Sequence, residues 1–242
     1  MTLLLLAGTG EARLIASDLA ARGVRAVASL AGATRQPATL ALPTRSGGFG
    51  GRQGFVDYLQ ADHITAVLDA THPFAVRISH RTAEVCAELG LPYRQFLRPE
   101  WQPQEGDRWT FLDREAQAAD HIAQRATVFL ATGLQNLTDF ANLTGRRVIC
   151  RRIDQPRNPF PFANGDYLVG KPPFSVADEI ALFRQLGVDW LVVKNSGGAA
   201  SRSKLDAARA LGLRVALIRR PAQPEGQKVT TVAEALDWVA QL

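Results

Sequence analysis

Cysteine is scarce in this 242-residue chain, histidine is little commoner, and acidic residues vanish from one long part of it. The two cysteines, Cys86 and Cys150, each fall in an apolar segment. A disulfide framework is therefore excluded, and both are expected to be reduced core residues of a cytosolic protein. No apolar stretch approaches the roughly 20 residues of a membrane helix, and Leu3–Ala7 is too short, and lacks the basic flank, for a signal peptide. The four histidines have no cysteines or carboxylates at ligand spacing, so no metal site is expected; His63, His80 and His121 read as ordinary helix or loop residues. There is no G-x-S-x-G elbow, no P-loop and no His-Glu-x-x-His run. Basic runs are missing too. The 28 Lys and Arg against 23 Asp and Glu are dispersed, with no nucleic-acid-reading motif, so an anionic small ligand fits better than nucleic acid.

What is present is a recurring junction. Arg22-Gly23-Val24, Leu89-Gly90-Leu91, Leu186-Gly187-Val188 and Leu211-Gly212-Leu213 each end a helical period and begin an apolar run. Glycine at a helix C-terminus takes the left-handed conformation without a Cβ penalty, and the chain then turns into a strand. Helices alternating with short buried strands predict an α/β fold with parallel sheets. The pattern lapses between Arg98 and Arg108, which divides the chain into two units. Gln155–Gly165, rich in Pro, Asn and Phe, is long enough for a functional loop.

Leu3–Ala7 reads as the first strand, and Gly8-Thr9-Gly10-Glu11-Ala12-Arg13 opens a helix that turns Ala12, Ile15, Ala16, Leu19 and Ala20 inward. Two glycines there let a backbone approach a pyrophosphate, whose charge is favoured by a helix N-terminus. The third glycine of the dinucleotide fingerprint is replaced by Arg13, so the match is partial and a plain tight turn is the alternative. No Asp or Glu stands between Asp18 and Asp57. An acid after the second strand holds the ribose of NAD. Ser29, Thr34 and Arg35 stand in its place, groups suited to a 2′-phosphate, with a solvated Arg35 as the alternative; if a dinucleotide binds, the missing acid argues for NADP. The glycine-rich Pro43–Gly54 has the freedom to fold over a ligand or to be only a linker.

Ile64–Leu68 is a short apolar run of the kind a covered central strand needs, followed by Asp69-Ala70-Thr71-His72-Pro73. From Phe74 the period turns helical, with Ala75, Ile78, Thr82, Val85, Cys86 and Leu89 on one face. Thr71 and His72 thus stand at a strand's carboxyl end, where open α/β sheets bind ligands. In the second half, Asp113 begins a helix, Thr127–Ala131 is a strand, Thr132-Gly133 precedes another helix, and Val148–Ile153 is the next strand. Tyr167 and Lys171 have Tyr-x-x-x-Lys spacing, but Gly170 and Pro172-Pro173 break any helix there, so that motif is rejected. Ser175-x-x-Asp178 and Thr231-x-x-Glu234 each open a helix. Trp190–Val193 leads into Lys194-Asn195-Ser196-Gly197-Gly198, a turn suited to an anion. Lys204, in the first turn of the helix at Ser201–Leu211, opposes the helix dipole and makes better sense beside an anionic ligand than in solvent.

AGTGEAR at 7–13, DATHPFA at 69–75, KPPFS at 171–175, KNSGG at 194–198, KLDAAR at 204–209 and RRP at 219–221 together resemble the precorrin-6A reductase family of cobalamin biosynthesis. The resemblance runs along nearly the whole chain. It implies two Rossmann-like units with a ligand cleft between them and NADPH-dependent reduction of precorrin-6A to precorrin-6B. The substrate it implies is a macrocycle bearing acetate and propionate groups. A different NADPH reductase and a non-catalytic NADPH sensor are the alternatives. On this reading residues 1–100 form an NADP-binding domain, holding the cofactor through Gly8, Thr9, Gly10, Arg35, Thr71 and His72. Residues 101–242 form a substrate domain using Lys171, Lys194, Asn195, Ser196 and Lys204, with the attachment of the terminal helix 231–242 left open. No residue is assigned as the proton donor.

Overall fold

The computed structural model describes residues 1–32, 39–199 and 201–242. The chain forms β1 (Leu3–Leu6), α1 (Gly10–Ala21), β2 (Ala26–Leu30), β3 (Thr44–Ser46), α2 (Gly51–Ala61), β4 (Ala66–Asp69), α3 (Val76–Leu89) and β5 (Tyr93–Phe96). It continues through β6 (Arg108–Leu112), α4 (Ala118–His121), β7 (Thr127–Leu130), β8 (Arg147–Arg152), β9 (Gly165–Val169), α5 (Val176–Leu186), β10 (Trp190–Lys194), α6 (Ser203–Ala210) and β11 (Arg214–Ile218). It ends with β12 (Lys228–Val229) and α7 (Val232–Ala240). Two six-stranded sheets result, in the orders β12-β5-β4-β1-β2-β3 and β6-β11-β10-β7-β8-β9, and every strand pair in them is parallel.

The central strands are mostly apolar because helices cover both faces. Leu3, Leu4, Leu5 and Leu6 of β1 are all buried, odd positions on one side with α1 and α7, even positions on the other with α2 and α3. In the second sheet, Phe129, Leu191 and Val215 pack with Phe183 of α5 and Leu205 of α6. Ordering reverses at β1/β4 in the first sheet and at β7/β10 in the second. Strand carboxyl ends diverge at such switch points and leave crevices.

The compact units are residues 1–99 with 221–242, and residues 100–220. This corrects the expectation that 101–242 forms the second unit. Val229 pairs with Phe96, Leu97 N donates to Val229 O at 2.8 Å, and Ala235, Leu236, Trp238 and Val239 of α7 complete the core under α1. Apolar burial beyond β12, with a strand edge to pair, holds the tail there. One edge strand of each sheet is thus out of chain order: β6 follows β5 but pairs with β11, and β12 follows β11 but pairs with β5.

Other differences are local. Gly90 and Gly187 end their helices at φ 63°, as the junctions require, and Ser175 and Thr231 form the expected capping boxes. Leu89, expected on the buried face of α3, is exposed, since Gly90 ends the helix one position later. The helix expected from Asp113 is a 3₁₀ turn at Glu115–Gln117 followed by the single turn of α4. The helix expected after Gly133 is only a 3₁₀ turn at Leu137–Phe140. The glycine-rich segment contains β3 and the start of α2.

Candidate functional site

The first unit carries a cleft of about 370 Å³ at the carboxyl ends of β1, β2 and β4. Gly8 leaves β1 with φ +134°, a region essentially closed to residues with a Cβ. Thr9 then caps α1: its Oγ1 accepts from Ala12 N at 3.1 Å and donates to Ala70 O at 2.9 Å. That hydroxyl ties the turn after β1 to the end of β4. Gly10 is the first residue of α1, and Glu11 beside it pairs with Arg98 at 2.7 Å.

Thr71 and His72 line the same cleft. Thr71 donates to Asp69 Oδ1 from both N, at 3.0 Å, and Oγ1, at 2.7 Å, and the Tyr93 hydroxyl donates to Asp69 Oδ2 at 3.1 Å. Asp69 is wholly buried, so its bonds shape the turn instead of meeting solvent. The Tyr93 phenol is pushed far up by burial and then by Asp69, which keeps it a neutral donor. His72 Nδ1 accepts from Phe74 N at 3.2 Å and closes the His-Pro-Phe turn.

The opposite wall is the glycine segment 47–51, and it brings in residues the sequence reading left without a role. Arg45 of β3 donates from Nη1 to Ser29 Oγ at 2.8 Å and Gly47 O at 3.0 Å, and from Nη2 to Gly48 O at 3.0 Å. Its guanidinium lies 4.0 Å over the Phe49 ring. Arg81 of α3 donates to Gly51 O at 3.3 Å, its charge disfavoured by burial and then by Arg77. Two cations therefore flank the glycines. The visible signal was Thr44-Arg45-Ser46, a strand-like triplet directly before the glycines. Arg35 lies outside the described residues.

A dinucleotide fits this cleft on a local test. A Cβ placed on Gly8, Gly47, Gly48, Gly50 or Gly51 meets no atom within 4 Å. These glycines line the cleft, and their backbones leave it free of side-chain bulk. The N-terminal end of α1 supplies a positive dipole there, Arg81 lines the cleft, and the Arg45 guanidinium lies behind the glycine wall that it braces.

The proposed substrate residues of the second unit fall into separate places. Lys194, at the end of β10, donates to Asn136 Oδ1 at 3.1 Å and stands 3.6 Å from Glu115. Burial lowers its pKa and Glu115 opposes the shift. Asn195 is buried, and its side chain is engaged internally. Oδ1 accepts from Trp101 N at 2.9 Å, while Nδ2 donates to Trp101 O at 3.2 Å and Glu100 Oε2 at 3.1 Å. Ser196 is also buried, its N donating to Lys194 O at 2.7 Å. Trp101 Nε1 donates to Gly198 O at 2.8 Å, so the KNSGG turn and Glu100-Trp101 hold each other. Lys171 is exposed after β9. Lys204 lies apart from Lys194, in a recess beside Arg151 and Arg152. Its Nζ donates to Ser201 O at 2.6 Å, and burial, then Arg151, lower its pKa to about 8 against the pull of Glu179. Among the described residues no three metal-ligating side chains cluster, and no helix is long and apolar enough to cross a membrane.

A glycine turn, a capped helix and a glycine-walled cleft at the switch point of a doubly wound sheet are the marks of a dinucleotide-binding α/β protein. The family model for the precorrin-6x reductases CbiJ/CobK matches residues 2–240, and the chain belongs to that family. The precorrin-6A reductase of Rhodobacter capsulatus is 42% identical over 239 residues, 98% of this chain and 95% of that protein. The precorrin-6A reductase of Rhodococcus erythropolis is 43% identical over 243 residues, covering 99% and 98%. A solved structure of CobK precorrin-6A reductase superposes with a TM-score of 0.96 at 41% identity, over 100% of this chain and 96% of that one. The chain is accordingly an oxidoreductase of the type that uses a nicotinamide cofactor, and the family's substrate is a tetrapyrrole.

Proposed function

We propose that this chain reduces precorrin-6A to precorrin-6B in cobalamin biosynthesis, using NADPH in the cytoplasm. The observation that carries this reading is the end-to-end likeness to precorrin-6A reductases, joined to a glycine-walled cleft that has no acid at the end of β2. NADPH, when bound, supplies a hydride to one carbon of the conjugated macrocycle, and a proton added at the neighbouring carbon completes the reduction. Gly8 and Gly10 let the backbone approach the pyrophosphate, Thr9 holds the turn, and Thr71 and His72 border the cleft from the end of β4. Arg45 of β3, together with Arg35, answers the 2′-phosphate. Lys171, Lys194 and Lys204 attract the substrate's carboxylates, while Asn195 and Ser196 keep the turn that presents Lys194. A strain lacking its own precorrin-6A reductase should recover cobalamin synthesis when given this chain. A non-catalytic NADPH sensor would leave it auxotrophic.

Arg45→Ala should weaken NADPH by about 1.5–3 kcal/mol, the range for a charge-assisted hydrogen bond, and NADH by much less. Because Arg45 also braces the glycine loop, the NADPH-to-NADH affinity ratio is the quantity to measure. An unchanged ratio in calorimetric titrations would take the 2′-phosphate away from Arg45.

Lys204 gives the substrate step a pH dependence. With a pKa lowered to about 8, the ammonium is present below that pH and lost above it. The charged groups acting on it are Arg151 of β8 and Glu179 of α5. kcat/KM for the precorrin should therefore fall as pH rises through about 8, since that ratio reports the free enzyme. Lys204→Arg, which stays protonated, should lose this limb. A wild-type profile flat across that range would contradict the assignment.

A further inference from the structure

At the carboxyl ends of β7 and β8, a recess of about 160 Å³ opens beside the start of α6. Its polar lining is cationic and hydroxylic, made by Arg151, Arg152, Ser201, Ser203 and Lys204. Arg151 is already answered: it makes a two-pronged ion pair with Glu179, at 2.9 and 2.7 Å, and its guanidinium lies 4.9 Å from the Phe129 ring and 4.3 Å from Phe174. Glu179 is 1% exposed and committed to that pair.

The other two cations are not answered. Lys204 directs its ammonium at a main-chain carbonyl, and no carboxylate lies within ion-pair distance of it among the described residues. Arg152 rests 5.0 Å from the Tyr167 ring and leaves Nε without a hydrogen-bond partner. Lys204 also stands in the first turn of α6, a helix end with no side-chain cap, where the dipole is already positive. A largely buried ammonium beside a guanidinium and a helix N-terminus is unfavourable, with only Glu179 and the Ser201 carbonyl acting the other way, and an anion in the recess would relieve it. Pro172 and Phe174 give the recess an apolar wall, which suits the methylene stem of a carboxyalkyl group better than a phosphate.

We infer that this recess is a carboxylate subsite, taking one acetate or propionate arm of the substrate between Lys204 and Arg152, with the Ser201 and Ser203 hydroxyls as further donors. The Arg151–Glu179 pair forms its floor and keeps Glu179 from neutralising Lys204. The inference rests on the tetrapyrrole reading above.

The test is an anaerobic titration of precorrin-6A into the cofactor-free enzyme, beside a separate turnover assay with NADPH. Lys204→Ala and Arg152→Ala should each weaken precorrin-6A roughly 10- to 100-fold, the loss of one charged hydrogen bond. Lys204→Arg should stay close to wild type, as should Arg184→Ala on the exposed side of α5, and NADPH affinity should hold in all four. Wild-type binding that stays within about twofold in both alanine variants would overturn the subsite, as would a wild type that does not bind precorrin-6A. Turnover separates the two ideas. Catalysis with unaltered affinity in the variants removes the recess and leaves the reductase, whereas binding without turnover removes the reductase and leaves the recess judged by the titration.

Discussion

Glu179→Ala should lower stability by about 3–5 kcal/mol, the range for breaking a buried ion pair from one side. Arg151 and Glu179 are 8% and 1% exposed, their two hydrogen bonds are short, and aromatic rings flank the guanidinium. Removing the carboxylate leaves that guanidinium buried with no partner of opposite charge. Arg151→Ala should cost a similar amount for the mirror reason, whereas the double substitution Arg151→Met with Glu179→Leu should recover most of the loss. Urea unfolding of the four proteins measures this directly. A loss below about 1 kcal/mol in Glu179→Ala, the scale of a surface pair, would mean the pair is solvated and forms no floor for the recess. Because Glu179 opposes the depression of the Lys204 pKa, its removal should also move the alkaline limb of the pH profile to lower pH.

Gly8→Val should abolish measurable cofactor binding while the protein still folds. The substitution has two separable effects. A side chain at φ +134° costs on the order of 1–3 kcal/mol of backbone strain, which lowers the melting temperature. The isopropyl group also enters open space in the cleft, where a Cβ meets nothing of the protein within 4 Å. A pyrophosphate lying there would be displaced, and an affinity loss beyond about 100-fold, roughly 3 kcal/mol, is expected. Gly187→Ala is the control for strain alone, since it has φ 63° and lies outside the cleft. It should melt earlier yet bind NADPH as wild type does. Gly8→Val binding NADPH normally would remove the turn after β1 from the cofactor site.

The frame of the fold was legible because its signals are local. Glycine stops at Gly90 and Gly187, caps at Ser175 and Thr231, and the four leucines of β1 each specify a backbone state or a burial pattern within a few residues. The attachment of 221–242 was not legible, because it depends on Val229 finding the edge of β5 and on Trp238 reaching the core under α1. Both are pairings across more than a hundred residues. The site was partly legible for the same reason. Gly8, Thr71 and His72 follow strands directly, and they line one cleft. Arg45 was missed because its meaning comes from Ser29 on the neighbouring strand and Phe49 beyond it. Asn195 looks like a ligand-binding amide in KNSGG, yet it grips Trp101, a partner 94 residues away that spacing cannot reveal. The helix position of Lys204 marks it in the sequence, but the Arg151–Glu179 pair beside it joins β8 to α5 and leaves no trace in the local sequence.

Anaerobic incubation of the purified protein with precorrin-6A and either NADPH or NADH, following nicotinamide absorbance and product mass together, tests the central claim. The account predicts oxidation of one NADPH for each macrocycle that gains two hydrogens, with NADH consumed far more slowly. NADPH left unoxidised beside unaltered precorrin-6A, or equal use of both cofactors, would contradict it.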